Sequence, residues 1–583
     1  VTTGPAGRHR PVGGRGGGSE LLDDVRALLA AAAVVHRDRP EAVARLGAQR
    51  RRLDEPLRVA LTGRVKAGKS TLLNALVGER LAPTDAGECT RVVTWFRNGP
   101  TPQAVLHRVD GARRSLPVRR VGGGLQLDLA GTPPQDVARL VVDWPSSGLQ
   151  PATLIDTPGI ASLSADASAR TQAFIEDDGQ LSGADAVVFL TRQVQPADLA
   201  FLAAFQEATG GAGLHTTTIT VLSRADELGS GRLDAYLAVE DVARRTAELP
   251  AVAALSQTVL PVAGLVAFGG RTLRHADFVA LATLAQAERA DVEDVLLSAD
   301  RFGRPDVPVP LSRATRASLL ERLGLFGIRL AVGLIRTGVA GTAPALADAL
   351  VARSGLAELQ RLLAVQFTER SAALKAGAAL RLLEDLLRDQ PVPGDDALWR
   401  ELERVRCGSS DLVELDLLGR SRAPGGPFPA EVRAEAERLL GGAGAGPAAR
   451  LGLPEETAAE ELRAAAAGAV TRWRAWSADP LTPRAAVDAA EVVVRSCEEL
   501  LGVLDAGVPD AGVPGSALPA GPAPRRSGQH ESQEAGHHQR ALTEEGDPGH
   551  RHRAVDQALV HVDRQQGQPA RHRQGPPRPG PAA

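Results

Sequence analysis

Methionine is absent from this chain of 583 residues, tyrosine occurs once, and cysteine and lysine occur three times each. Cys89, Cys407 and Cys497 are odd in number and far apart, which excludes a disulfide framework or a cysteine zinc cluster and fits a reducing, cytoplasmic setting. There is no dense basic block, and the formal net charge is −3, so nucleic acid is not expected as the main partner. Apolar runs of membrane-spanning quality are missing as well. The longest uncharged stretch, 250–270, holds Ser256, Gln257, Thr258 and Pro261, and reads as a loop followed by a core strand over 258–263. The apolar stretch 27–35 follows Glu20, Asp23 and Asp24, where a secretory leader needs positive charge. With Ser19 as N-cap it reads as an ordinary amphipathic helix.

Scarcity gives the lysines meaning. Of 67 lysines and arginines only Lys66, Lys69 and Lys375 are lysine, and two of these stand three residues apart in GRVKAGKS, residues 63–70. That stretch matches G-x-x-x-x-G-K-[ST]. Its glycine-rich turn aims backbone N–H groups at phosphates, a compact ammonium at Lys69 reaches the β/γ oxygens, and the hydroxyl of Ser70 ligates Mg²⁺. Upstream, 57–62 reads as a buried strand. Downstream, 70–77 reads as a helix whose N-terminal dipole helps hold the anion. The candidate phosphate site is therefore Gly63, Arg64, Val65, Lys66, Ala67, Gly68, Lys69, Ser70 and Thr71.

Three further segments separate GTP from ATP. In 155–159 (IDTPG) a strand ends on Asp156, which can hold Mg²⁺ through water, and the N–H of Gly159 can meet a γ-phosphate. In 223–226 (SRAD) a carboxylate at Asp226 would accept from guanine N1–H and N2–H₂, which adenine does not offer, with Ser223 and Arg224 beside it. In 261–265 (PVAGL) a backbone N–H, assigned to Ala263, could meet guanine O6. All sit at carboxyl ends of strands, where open α/β sheets bind ligands. Thr90 is the candidate switch threonine closing on Mg²⁺ and the γ-phosphate, with Thr84 as runner-up. The expected metal ligands are thus Ser70, Thr90 and Asp156.

The pattern changes along the chain mark out domains. Residues 1–18 are Gly/Arg-rich and read as disordered, and 19–54 as an N-terminal helix or helical hairpin packing on a bundle. Over 55–285, β-rich runs at 138–144, 152–156, 184–190, 216–222 and 258–263 alternate with helical ones. This predicts an α/β P-loop GTPase domain with a mostly parallel sheet and helices on both faces. Over 286–504 helical spacing takes over, notably at 356–387, 454–476 and 483–504, which predicts an α-helical bundle. Breaks fall at 391–394, 423–429 and 441–447. The stretch 505–583 carries seven of the twelve histidines but no Phe, Trp, Tyr or Ile, and reads as a disordered or artefactual tail.

These motifs and their spacing resemble the dynamin superfamily of large GTPases. The interval from P-loop to DTPG is longer than in small Ras-type GTPases, and 103–129 fits an extra β-rich insertion. Over roughly 20–505 the chain looks most like the isoniazid-inducible, IniC-type dynamin-like proteins of actinobacteria. It does so through LTGRVKAGKSTLLNALVGERLAPTDAGECTRVVTWFRNGPTP, DTPGIASLSADASARTQ, SRADELGSGRLDA and RASLLERLGLFGIRLAV. The resemblance implies GTP hydrolysis coupled to G-domain pairing, a helical neck and trunk, and peripheral action on membrane lipids. It also implies a homo- or hetero-oligomer, often with a dynamin-like paralogue. Two departures bear on catalysis. Val65 and Lys66 stand where dynamins have Gln, which positions water, and Ser, which helps hold a charge-compensating monovalent cation. Val65 cannot orient water. Lys66 is expected to supply that positive charge itself, so Lys66, Lys69 and Thr90 are the candidate catalytic residues. Ser223 and Arg224 also replace the usual Asn/Thr and Lys, although an arginine plane can stack on a base.

Two regions are candidates for lipid contact. Arg322, Arg329 and Arg336 recur every seven residues in 317–336, which fits a bundle helix with one wet edge better than an interfacial helix. The segment 408–430, with Leu412, Leu415, Leu417, Leu418 and Phe428 near Arg420 and Arg422, is the other. Two alternative functions stay open: a non-hydrolysing or weakly hydrolysing GTP-binding partner subunit, which Val65 favours, and an RNA- or ribosome-associated GTPase.

Overall fold

A computed structural model describes residues 17–82, 92–121, 124–158, 184–208, 217–227, 233–422 and 425–506. Eleven strands occur among them: β1 Leu57–Gly63, β2 Thr94–Asn98, β3 Gln103–Arg108, β4 Arg113–Leu116, β5 Arg119–Val121, β6 Gly124–Gln126, β7 Val137–Trp144, β8 Ala152–Asp156, β9 Ala186–Thr191, β10 Thr218–Ser223 and β11 Val259–Val262. Nine form one sheet in the order β11-β10-β9-β1-β8-β2-β7-β3-β4, and β5 pairs with β6 apart from it. From β11 through β8 every neighbour is parallel. Beyond β8, β2 runs antiparallel to β8 and parallel to β7, and the insertion adds two antiparallel pairs to this sheet, β3 with β7 and with β4.

The parallel half is covered on both faces, so its strands are continuously apolar rather than alternating. In β1, Leu57, Val59 and Leu61 pack toward the helix Lys69–Val77, with Leu72, Leu73 and Leu76. Ala60 faces the other way, into a cluster with Phe201 and Phe205 of the helix Pro196–Ala208. Register sets the level of the strand ends: Leu61 lies opposite Asp156, and Gly63 opposite Leu190. At that last pair only glycine fits, because Gly63 has φ 139° and a β-carbon there would collide with the Leu190 carbonyl.

The uncharged stretch 250–270 departs from the loop-and-strand expectation. Only Val259–Val262 is strand, flanked by the helices Pro250–Ala253 and Gly264–Arg271. Short apolar runs of four to eight residues fit either conformation, and the sheet edge decided this one. Among the described residues no helix is long and apolar enough to cross a membrane. Ser19 is not an N-cap either, because the first helix, Gly17–Val35, already includes it.

Every regular element after β11 is a helix among the described residues. Residues up to 504 form one compact unit, and the second unit, from 505 on, is described only at the end of the last helix, Arg484–Ala506. The expected helix at 356–387 is interrupted: a π-helical turn, Leu363–Thr368, separates Leu356–Leu362 from Ser371–Asp389. The N-terminal hairpin, Gly17–Val35 and Pro40–Arg52, buries Leu21, Val25, Leu28, Leu29 and Leu46 against Leu380, Leu383, Leu398 and Leu402. The third lysine closes that joint. Lys375 donates to the carbonyls of Leu53 (2.7 Å) and Glu55 (3.0 Å), just past a helix end.

Both candidate lipid-contact regions are occupied within the fold. Arg329 Nε donates to Leu296 O (3.0 Å), Arg336 Nε to Ala285 O (3.0 Å), and Arg322 reaches Thr272 O. The heptad arginines therefore satisfy the last carbonyls of three neighbouring helices, which intrahelical bonding leaves unpaired. The segment 408–430 forms the helix Ser410–Arg422, with Leu417 and Leu418 buried. Phe428 sits in a core aromatic cluster, 5.3 Å from Trp473.

Candidate functional site

The turn between β1 and the helix Lys69–Val77 is held open by three unusual backbone conformations: Gly63 at φ 139°, Lys66 at 63° and Gly68 at 95°. Lys66 and Val65 are exposed at its lip, Val65 to 55%. Among the described residues the Lys66 ammonium has no acceptor, and its left-handed conformation costs a non-glycine residue about 1–3 kcal/mol. Lys69 is buried and donates to Gly63 O and Arg64 O, both 3.2 Å away. Burial holds its pKa below the ordinary lysine value, against the opposing pull of Asp156.

Ser70 Oγ donates to Asp156 Oδ2 at 2.9 Å, while Asp156 Oδ1 is buried without a partner among the described residues. Burial pushes the Asp156 carboxyl up to about 6, despite the Ser70 hydrogen bond and the Lys69 charge. A serine hydroxyl beside a carboxylate with one spare buried oxygen is a hard-oxygen donor set suited to Mg²⁺. In the nucleotide-free chain that carboxylate is a burden. Between its ordinary value of 3.8 and about 6, the folded state keeps a proton that the unfolded state has lost, so stability falls as pH rises through this window. The loss amounts to about 3 kcal/mol at neutral pH. Asp156→Asn keeps an acceptor for Ser70 and carries no charge. In chelator and without nucleotide it should melt higher than the wild type at pH 7 but not at pH 4, and bind nucleotide less tightly once Mg²⁺ is supplied. A lower melting temperature at pH 7 would contradict this account of the site.

A cavity of about 150 Å³ extends from the loop toward β10 and β11, lined among others by Gly68, Thr71, Ser223, Asp226, Gly264 and Leu265. Burial raises the Asp226 carboxyl above its ordinary value, and Ser223 Oγ is buried with no partner among the described residues. Arg224 lines the cavity in a left-handed conformation (φ 55°), with its guanidinium turned to Glu227. The Ala263 N–H is not available to a base, because it donates to Ser354 O at 2.9 Å. Gly264 and Leu265 line the cavity there, in the first turn of the helix Gly264–Arg271, where N–H groups lack intrahelical acceptors. Thr84, Thr90 and Gly159 lie outside the described residues.

The motif reading passed over one anchor. Buried Asp198 accepts from Arg64 Nε (2.9 Å), Thr191 Oγ1 (3.1 Å) and Gln195 N (3.0 Å), tying the phosphate loop to the helix Pro196–Ala208. Its only sequence signal is an acid in that helix's first turn.

A family model described as "Dynamin family" matches residues 59–202. Over 491 residues the chain is 41% identical to isoniazid-induced protein IniC of Mycobacterium tuberculosis (strain H37Rv), spanning 83% of this chain and 99% of that protein. It is 29% identical over 188 residues to the bacterial dynamin-like protein of Nostoc punctiforme, 30% of this chain and 26% of that one. A solved bacterial dynamin, described as an oligomerised pair for the long range sensing and tethering of membranes, covers 80% of this chain and 87% of its own. Its sequence identity is 12% and its TM-score 0.27, a likeness too weak to argue from.

Proposed function

Because this chain belongs to the dynamin family, among relatives of the IniC type, we propose that it binds and hydrolyses GTP with Mg²⁺ and couples G-domain pairing to membrane remodelling. One observation supports this reading above the others: a single cavity runs from the loop that Lys69 closes to the carboxylate of Asp226. Lys69, released from two loop carbonyls, would meet the β/γ oxygens. Ser70 and Asp156 would hold Mg²⁺, which would neutralise charge developing on the phosphates. Asp226 would accept from the guanine edge, and Gly264 or Leu265 would donate to O6. Thr90 and Gly159 remain the candidates for closing on the γ-phosphate. Val65 exposes an apolar surface at the loop's lip, which a second G domain would cover. The same residue favours the second reading, a GTP-binding partner subunit with little turnover of its own.

For membrane contact the best-placed side chain is Leu481, 89% exposed at the turn between the helices Ala459–Ser477 and Arg484–Ala506. Exposed Arg484 stands beside it. We place the lipid-contacting tip there. GTP turnover measured with and without anionic vesicles tests the reading. Vesicles should stimulate wild-type turnover, and Leu481→Asp should lose vesicle binding and stimulation while basal turnover persists. GTP binding without turnover under all conditions would favour the partner-subunit reading. Indifference to vesicles with stimulation by RNA would favour the RNA-associated one.

A further inference from the structure

The helix Arg313–Arg336 is broken internally at Gly324, where φ is 66° and ψ 174°. That conformation is essentially closed to residues with a side chain. The break faces the base end of the cavity from behind. A β-carbon at 324 would stand 3.2 Å from Leu265 Cδ2 and 4.0 Å from Asp226 Oδ2, and both of those residues line the cavity. The contact is not isolated. A β-carbon at Gly269 would come within 2.6 Å of Arg322 O, and one at Gly327 within 3.3 Å of Val266 Cγ2, so the helices Gly264–Arg271 and Arg313–Arg336 meet almost backbone to backbone. Arg322, two residues before the break, adds an ion pair to Asp277 at 3.0 Å and a hydrogen bond to Thr272 O. A helix whose first turn floors the base pocket is thus fastened, without slack, to the first long helix of the bundle.

We propose that Gly324 is a positioning residue for base recognition, and that the break it permits makes the first bundle helix the element that registers whether the base pocket is filled. Lacking a side chain, it leaves Leu265 in place beside the Asp226 carboxylate, where a guanine edge can meet both; a β-carbon would press on Leu265 and meet Asp226 only at ordinary contact distance. Any shift of Leu265 on binding is passed directly to the break. The inference rests on the guanine-nucleotide reading above.

Two measurements on the full chain test it. Amide hydrogen exchange of the wild type in Mg²⁺ is compared without ligand, with GTP, and with inorganic tripolyphosphate, which can fill only the phosphate loop. GTP should slow exchange over 322–328, and tripolyphosphate should not. In the second, Gly324→Ala should lower the preference for GTP over tripolyphosphate, which has no base, by about tenfold. Leu265→Ala in the same chain should restore part of that preference by relieving the 3.2 Å contact. Exchange over 322–328 that ignores bound GTP overturns the inference even if the alanine variant fails to fold. An unchanged preference in a folded Gly324→Ala chain overturns it too. Failure of the wild type to bind GTP in a parallel titration overturns the nucleotide reading itself, so the two failures are separable.

Discussion

Asp226→Asn should weaken GTP binding by about 10²–10⁴-fold and turn the preference toward XTP. A guanine edge presents two donors, N1–H and N2–H₂. The carboxylate accepts both, and each charge-assisted bond contributes about 1.5–3 kcal/mol. Asparagine offers one acceptor and one donor, which matches xanthine, where N1–H donates and a carbonyl at position 2 accepts. Burial sharpens the effect: the carboxyl is already held above its ordinary pKa by desolvation, so a base that satisfies it relieves a standing cost. Competition between labelled GTP and unlabelled XTP reads the outcome directly. A variant that keeps its GTP affinity would remove Asp226 as the base reader and leave the first turn at Gly264 and Leu265 as the alternative.

Lys66→Ala should lower GTP turnover by about 10²–10³-fold, the usual size of one missing charge donor at a phosphoryl-transfer transition state. Ground-state GTP affinity should change little. The residue is exposed, has no acceptor among the described residues, and does not line the cavity. An ammonium held at the loop's lip in a strained conformation is suited to act only when charge develops on the transferred group. Wild-type turnover should be indifferent to the choice of K⁺ or Na⁺, because the cation is covalently supplied. Turnover unaffected by the substitution would end the idea, whereas recovery of the alanine variant in K⁺ would locate the missing charge.

Much of the fold was legible in the sequence where local pattern and burial agree. β8 falls on the expected residues, and β1, β7 and β10 within a residue or two, because short apolar runs bounded by turns and alternating with helical segments favour buried strands. The loop residues of the nucleotide site were legible for a related reason: their chemistry depends on spacing along the chain. What sequence could not show depends on partners far away in it. The heptad arginines look like a wet stripe until the helix ends they cap are in place. Leu417 and Leu418 look lipid-facing until the cluster around Trp473 covers them, and Leu412 and Leu415 until they pack on the core of the N-terminal hairpin. Ala263 loses its free N–H to Ser354, and Asp198 finds Arg64 across 134 positions. Gly324 in an apolar helix reads as a mild weakening, and only its backbone angles reveal a full break.

The hairpin at residues 17–52 leaves the ribosome well before its partners: its apolar face waits for helices that end near residue 408, and the Lys375–Leu53 link alone spans 322 positions. At about 5–20 residues per second, the leucine-rich face stays uncovered for roughly 18–71 seconds of translation. During that interval it is a natural substrate for a holding chaperone. Premature termination before residue 371 would leave an unpartnered sticky surface rather than a shorter working protein.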